Sequence, residues 1–108
     1  MLTYVFDLDG TICTQGRTGT YHLMQPISKM VEKVNSLYMA GHRIIIFTAR
    51  GMVTCKGNVD QIWKDYGPMT LDWLDRNGVL FHELKFGKPA ADFYVDDKGV
   101  NADDFINL

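Results

Sequence analysis

Basic residues are in no excess here. Eleven lysines and arginines stand against thirteen aspartates and glutamates, a formal net charge of -2. A protein that grips nucleic acid or an anionic membrane by its phosphates needs a basic field, so neither partner is expected. No apolar run approaches the roughly 18 residues of a membrane span. Cysteine is scarce: Cys13 and Cys55 lack zinc-like spacing and are expected to be reduced thiols of a cytoplasmic protein. His22, His42 and His82 are scattered, so no softer-metal cluster is offered and each is expected to be a surface or core histidine. Linkers, repeats and low-complexity tracts are absent, and the chain enters a strand at once, so no leader is expected. At 108 residues, one domain over 1–108 is the natural reading.

What is present is organised around Leu2-Thr3-Tyr4-Val5-Phe6-Asp7-Leu8-Asp9-Gly10-Thr11. β-Branched and aromatic residues make Leu2 to Phe6 a strand. It ends in two carboxylates two residues apart, which point the same way on extended chain. They repel each other, so a cation is expected between them. Gly10 permits a sharp exit. A plain Asp-Gly hairpin turn would leave Asp7 unexplained, and no strand-like run follows Thr11.

Ile12 to Gln25 is polar and aperiodic, long enough to read as a functional loop, with Arg17 placed to meet an anionic substrate. Pro26 suits the first turn of a helix. Ile27, Met30, Val31, Val34, Leu37 and Tyr38 then recur at helical spacing up to Gly41. Arg43 to Thr48 has four consecutive apolar residues, the mark of a parallel strand covered on both faces. It ends in Thr48, Ala49 and Arg50. After Gly51 to Gly57, one helix over Val59 to Tyr66 and a second from Thr70 to Leu74 are expected, broken at Gly67-Pro68. Trp63 and Trp73 are expected to pack. Val79 to Phe86 reads as a third strand, Gly87-Lys88-Pro89 as a turn, and Phe93-Tyr94-Val95 as a short fourth strand ending in Asp96-Asp97. Asn101 suits the cap of a last helical turn.

Alternating strands and helices predict an α/β fold, a Rossmann-like three-layer sandwich with a mainly parallel central sheet and no cap domain. In such sheets ligands bind beyond the carboxyl ends of the strands. Asp7, Asp9, Thr48, Asp96 and Asp97 all follow strands, and Lys88 precedes the fourth. Four carboxylates against one lysine leave a negative excess that a hard cation, Mg²⁺, would relieve.

These residues resemble the four motifs of the haloacid dehalogenase superfamily of phosphohydrolases, over most of the chain. Asp7-Leu8-Asp9-Gly10-Thr11 is similar to the first motif, Thr48 to the second, Lys88 to the third and Asp96-Asp97 to the fourth. The resemblance implies that Asp7 is a nucleophile forming an aspartyl-phosphate and that Asp9 is the acid/base. It implies that Thr48 holds the phosphoryl group and that Lys88 neutralises charge. Asp7, the Asp9 carbonyl, Asp96 and Asp97 would be Mg²⁺ ligands, with the last two unranked between direct and indirect contact. Gly10, Thr11, Ala49, Arg50 and Arg17 are the substrate-binding candidates. The neighbouring residues in Thr48-Ala49-Arg50-Gly51, Phe86-Gly87-Lys88-Pro89 and Tyr94-Val95-Asp96-Asp97-Lys98 look like small phosphatases of capsule and surface-polysaccharide biosynthesis. That implies a sugar phosphate or a related small phosphoester as substrate. With no cap, water exclusion falls to loops, a large substrate or a neighbouring subunit of a homo-oligomer. A phosphotransferase, a non-enzymatic phosphoacceptor or a binding domain would use the same types of residue.

Overall fold

The computed structural model describes residues 1–15 and 20–108. The proposed substrate contact of Arg17 lies outside the described residues. Three strands, β1 (Thr3–Phe6), β2 (Arg43–Thr48) and β3 (Glu83–Phe86), form a parallel sheet in the order β1-β2-β3. Two main helices alternate with them: α1 (Ser28–Met39) between β1 and β2, and α2 (Val59–Arg76) between β2 and β3. A last turn, α3 (Ala102–Phe105), closes the chain. The fold is α/β and Rossmann-like, as the alternation predicts.

Register decides what is buried. Phe6, Ile46 and Leu84 lie side by side across the sheet, as do Thr48 and Phe86. Residues so paired share a face. Phe6, Ile44, Ile46, Leu84 and Phe86 therefore turn to one side and pack with Met30 and Val34 of α1 and with Ile62, Trp73 and Leu74 of α2. The opposite face carries Val5, Ile45 and Phe47. Burial along β2 alternates, and Val5 is 59% exposed. The double covering expected of β2 is thus incomplete in a single chain.

Three other expectations need correction. The Gly67-Pro68 break is absent, and α2 runs on as one helix with Pro68 inside it. A proline there costs a hydrogen bond. Tyr66, Thr70, Trp73 and Leu74 are buried on both sides of it, so packing holds the two halves in line. The third strand is shorter than Val79 to Phe86. Ahead of it, His82 is tied to β2 at both ends: its amide donates to the Ile44 carbonyl (2.9 Å) and its Nδ1 accepts from the Ile44 amide (3.0 Å). The fourth strand does not form. Residues 93–95 are irregular, and every residue from Pro89 to Asn101 is exposed. Parallel neighbours need a crossover of a dozen or so residues. Between Phe86 and Phe93 the chain offers far fewer.

The predicted cap of the last helix does form. The Asn101 side chain accepts from the Asp103 amide at 2.9 Å, and α3 returns Phe105 to Tyr4 and Phe6 of β1.

Candidate active site

The loop after β1 is built by its own backbone. The Leu8 carbonyl accepts from the amides of Thr11, Ile12 and Cys13, and Gly10 donates to the Cys13 carbonyl at 2.7 Å. That tight turn requires the left-handed φ of +83° at Gly10. Leu8 and Ile12 are fully buried beneath it, so the apolar residues clamp the loop while Asp7 and Asp9 stay partly exposed.

Asp7 sits at the carboxyl end of β1 with a cation beside it. Lys88 Nζ lies 3.4 Å from one carboxylate oxygen, and the Thr11 hydroxyl donates to the other at 3.4 Å. Lys88 is brought there by its own amide, which donates to the Thr48 carbonyl at the end of β2. Thr48 is 1% exposed, and its hydroxyl accepts from the Arg50 amide at 3.1 Å. That bond leaves the hydroxyl hydrogen to be donated elsewhere.

Asp9 has a different partner. Arg50 Nε and a terminal Arg50 nitrogen each donate to one Asp9 oxygen at 2.8 Å, a bidentate pair. The guanidinium is sealed in. It donates to the Thr70 hydroxyl at 3.1 Å and lies 4.3 Å from the Tyr21 ring centre, with no side-chain surface exposed. The expectation that Arg50 meets substrate is therefore corrected: it grips Asp9 from behind. Cys13 completes this cluster, its thiol donating to Asp9 at 3.4 Å. Burial, then the neighbouring Asp9 charge, pushes the Cys13 thiol up from 9.0 to about 12.

Sequence reasoning missed the parts that Thr70 and Cys13 play here and the ring contact of Tyr21 with Arg50. Thr70 lies at the start of the expected second helix and Tyr21 in the aperiodic stretch from Ile12 to Gln25. Neither carries a local signal that an arginine twenty or more residues away would turn inward to meet it.

Among the other candidates, Thr11 touches Asp7, whereas Gly10 and Ala49 shape the backbone. No hydrogen bond among the described residues uses the amides of Leu8, Asp9 or Ala49. These N–H groups flank the carboxyl ends of β1 and β2, where an anion would be held. Asp96 and Asp97 are not brought to this site. Asp96 instead accepts from the amides of Lys98 and Gly99, and Asp97 pairs with Lys98 in the open. Among the described residues no three His, Cys, Asp or Glu side chains gather closely enough to hold one ion. Asp9 also has both oxygens engaged by Arg50. Of the expected Mg²⁺ ligands, one chain brings Asp7 and the Asp9 carbonyl to this position and leaves Asp96 and Asp97 away from it.

No family model and no curated protein matches this sequence. A solved structure does: a protein from Vibrio cholerae, a structural-genomics target, aligns at a TM-score of 0.92 with 32% identity. The match covers 100% of this chain and 89% of that one. The two chains belong to one family. Its agreement runs the full length of the present chain, so the fold described above and the exposed segment after Lys88 both fall inside the matched region. Among the described residues no helix is long and apolar enough to cross a membrane.

Proposed function

We propose that the chain is a phosphomonoester hydrolase of the haloacid dehalogenase type, working through an aspartyl-phosphate on Asp7. The observation that carries this reading is the Asp7–Lys88 pair at the carboxyl ends of the strands, with Thr48 behind Lys88 and the unused amides of Leu8, Asp9 and Ala49 beside it. Phosphoryl transfer asks chiefly for positioning and for charge opposite the equatorial oxygens. A lysine, a hydroxyl and main-chain N–H groups supply that charge.

In the first step an Asp7 oxygen attacks phosphorus and the ester oxygen leaves with the bond's electron pair, taking a proton from the Asp9 carboxyl. In the second step a water, losing its proton to Asp9, attacks the phosphorus. Inorganic phosphate departs and the Asp7 carboxylate is restored. The bidentate hold by Arg50 belongs to the carboxylate form of Asp9, so one of the two 2.8 Å bonds opens when Asp9 takes a proton and re-forms when it gives that proton up. Arg50 fixes where Asp9 stands and the second bond keeps it there. Mg²⁺ is the proposed cofactor on the count of carboxylates, although one chain's donors fall short of it.

The proposed substrate is a small phosphoester, a sugar phosphate first among them. The bidentate hold on Asp9 favours one alternative, a phosphotransferase whose acceptor supplants a poorly activated water. Phosphate release would be measured on sugar phosphates, nucleotides and an aryl phosphate, with Mg²⁺, with chelator and with Asp7→Asn. Release that requires both Mg²⁺ and Asp7 supports hydrolysis. Loss of substrate phosphate only when an alcohol acceptor is added supports transfer. Release that survives Asp7→Asn overturns both.

A further inference from the structure

The acidic pair that the proposed site lacks stands on the most exposed part of the molecule. From Pro89 to Asn101 no residue is buried, although this stretch holds Phe93, Val95 and Val100. Phe93 is 85% exposed and Val95 94%. Exposed apolar residues in such a cluster mark a contact surface. The arm is anchored on its own subunit at both ends. Lys88 bonds to Thr48 and Asp7 before it, and Phe105 packs on Tyr4 and Phe6 after it. Near its root, Tyr94 lies against Lys88, 4.3 Å from the ring centre.

A second surface is equally unpartnered. Among the described residues β1 pairs with β2 alone, leaving its other edge open. Val5, on that edge strand, continues into an open trough with Ile45, Phe47, Val59 and Trp63. A bare edge beside an apolar face invites another strand.

The arm cannot fill this edge in its own chain and also serve the site. A parallel strand needs a longer connection than the one between Phe86 and Phe93. An antiparallel strand is reachable but would carry Asp96 and Asp97 to the wrong end of the sheet. A second copy has neither restriction.

Resting on the phosphatase reading, we infer that two copies exchange these arms, so that each supplies Asp96 and Asp97 to the other's Asp7 site. The arm lies parallel to β1 of the partner copy, with residues at the positions of Val95 and Val5 side by side. The same register sets Asp97 beside Asp7, and it lays Phe93 and Val95 on the open apolar face, because parallel partners share a face. Both arm ends stay on their own subunit, so the two β1 edges lie close across a twofold axis, an isologous contact. Within one chain Asp7 is already matched by Lys88 and Asp9 by Arg50. The arriving pair carries two carboxylates against the single, exposed Lys98, so it adds negative charge to the joined site, where a cation would belong.

The test mixes subunits. With Cys55 replaced by serine, Val5→Cys and Val95→Cys chains carrying different tags are combined and treated with a short bismaleimide. The buried Cys13 stays out of reach. Arm exchange predicts a crosslink between chains that is lost when Phe93→Asp is added to the Val95→Cys chain. In parallel, inactive Asp7→Asn and Asp97→Asn chains are mixed after separate purification. A shared site predicts recovery of about a quarter of wild-type phosphate release, since half the dimers are mixed and each has one intact site. A wild-type chain that is monomeric at micromolar concentration, or an active dimer with neither crosslink nor recovery, overturns the exchange. A specific crosslink in a protein that hydrolyses nothing leaves the exchange standing and removes the phosphatase reading.

Discussion

Arg50 holds both oxygens of Asp9 at 2.8 Å while exposing none of its own side chain. The pair joins the end of β2 to the loop after β1, and Thr70 of α2 and the Tyr21 ring seal it. It accounts for the position of the second aspartate without any contact to a substrate.

Removing this guanidinium should damage stability and activity together. Arg50→Ala strands a mostly buried carboxylate and is expected to cost about 3–5 kcal/mol, the range for breaking a buried ion pair. Arg50→Lys keeps the charge but loses the fork, and should fold with a smaller loss and a lower kcat. Urea unfolding beside kinetics on the same samples checks this. An Arg50→Ala protein of unchanged stability contradicts the buried pair.

The Lys88–Asp7 pair is partly exposed on both sides, 20% and 30%, so removing Lys88 should largely spare the fold. Lys88→Met is expected to lower kcat by about 10²–10³, the scale of losing one group aimed at developing negative charge. The unfolding midpoint should hardly move, because partly exposed pairs contribute little. A large stability loss with full activity would reverse the roles assigned to Lys88.

Cys13 predicts an alkaline transition. The fold favours its neutral thiol, with the folded value raised from 9.0 to about 12. A raised value means the contribution is fully present below pH 9 and is lost as pH climbs toward 12. Stability relative to Cys13→Ala should therefore be flat up to about pH 9 and shrink above it. Iodoacetamide should label the half-exposed Cys55 first and reach Cys13 only on unfolding. Rapid labelling of native Cys13 would contradict this.

Gly51 follows Arg50 with φ of +76°, and a Cβ there would stand 2.9 Å from the Tyr66 ring. Tyr66 in turn bonds Thr54 at 2.9 Å. Gly51→Ala should displace the ring and destabilise by about 1–3 kcal/mol, as overpacking does. Thermal unfolding measures it.

The sequence made β1, β2, α1 and the Asp7 loop legible because each is set by a local pattern: apolar runs, helical spacing and a glycine exit. The place of Lys88 beside Asp7 came from the family resemblance and not from these patterns. What stayed hidden depends on distant contacts. Pro68 is tolerated because Tyr66, Thr70 and Trp73 pack on both sides of it. Arg50 turns inward because Thr70 and Tyr21 receive it there. Phe93 to Val95 has the composition of a strand, but its connection is too short to reach a parallel neighbour in its own sheet, a limit set by topology and not by propensity.

The most direct test of the phosphatase account is an acid-quenched single turnover followed by mass spectrometry of the peptide holding Asp7. The account predicts a phosphoryl group on Asp7 at early times, decaying as free phosphate appears, and neither event in Asp7→Asn. Full phosphate release with no label on Asp7, undiminished in the Asn variant, would contradict it.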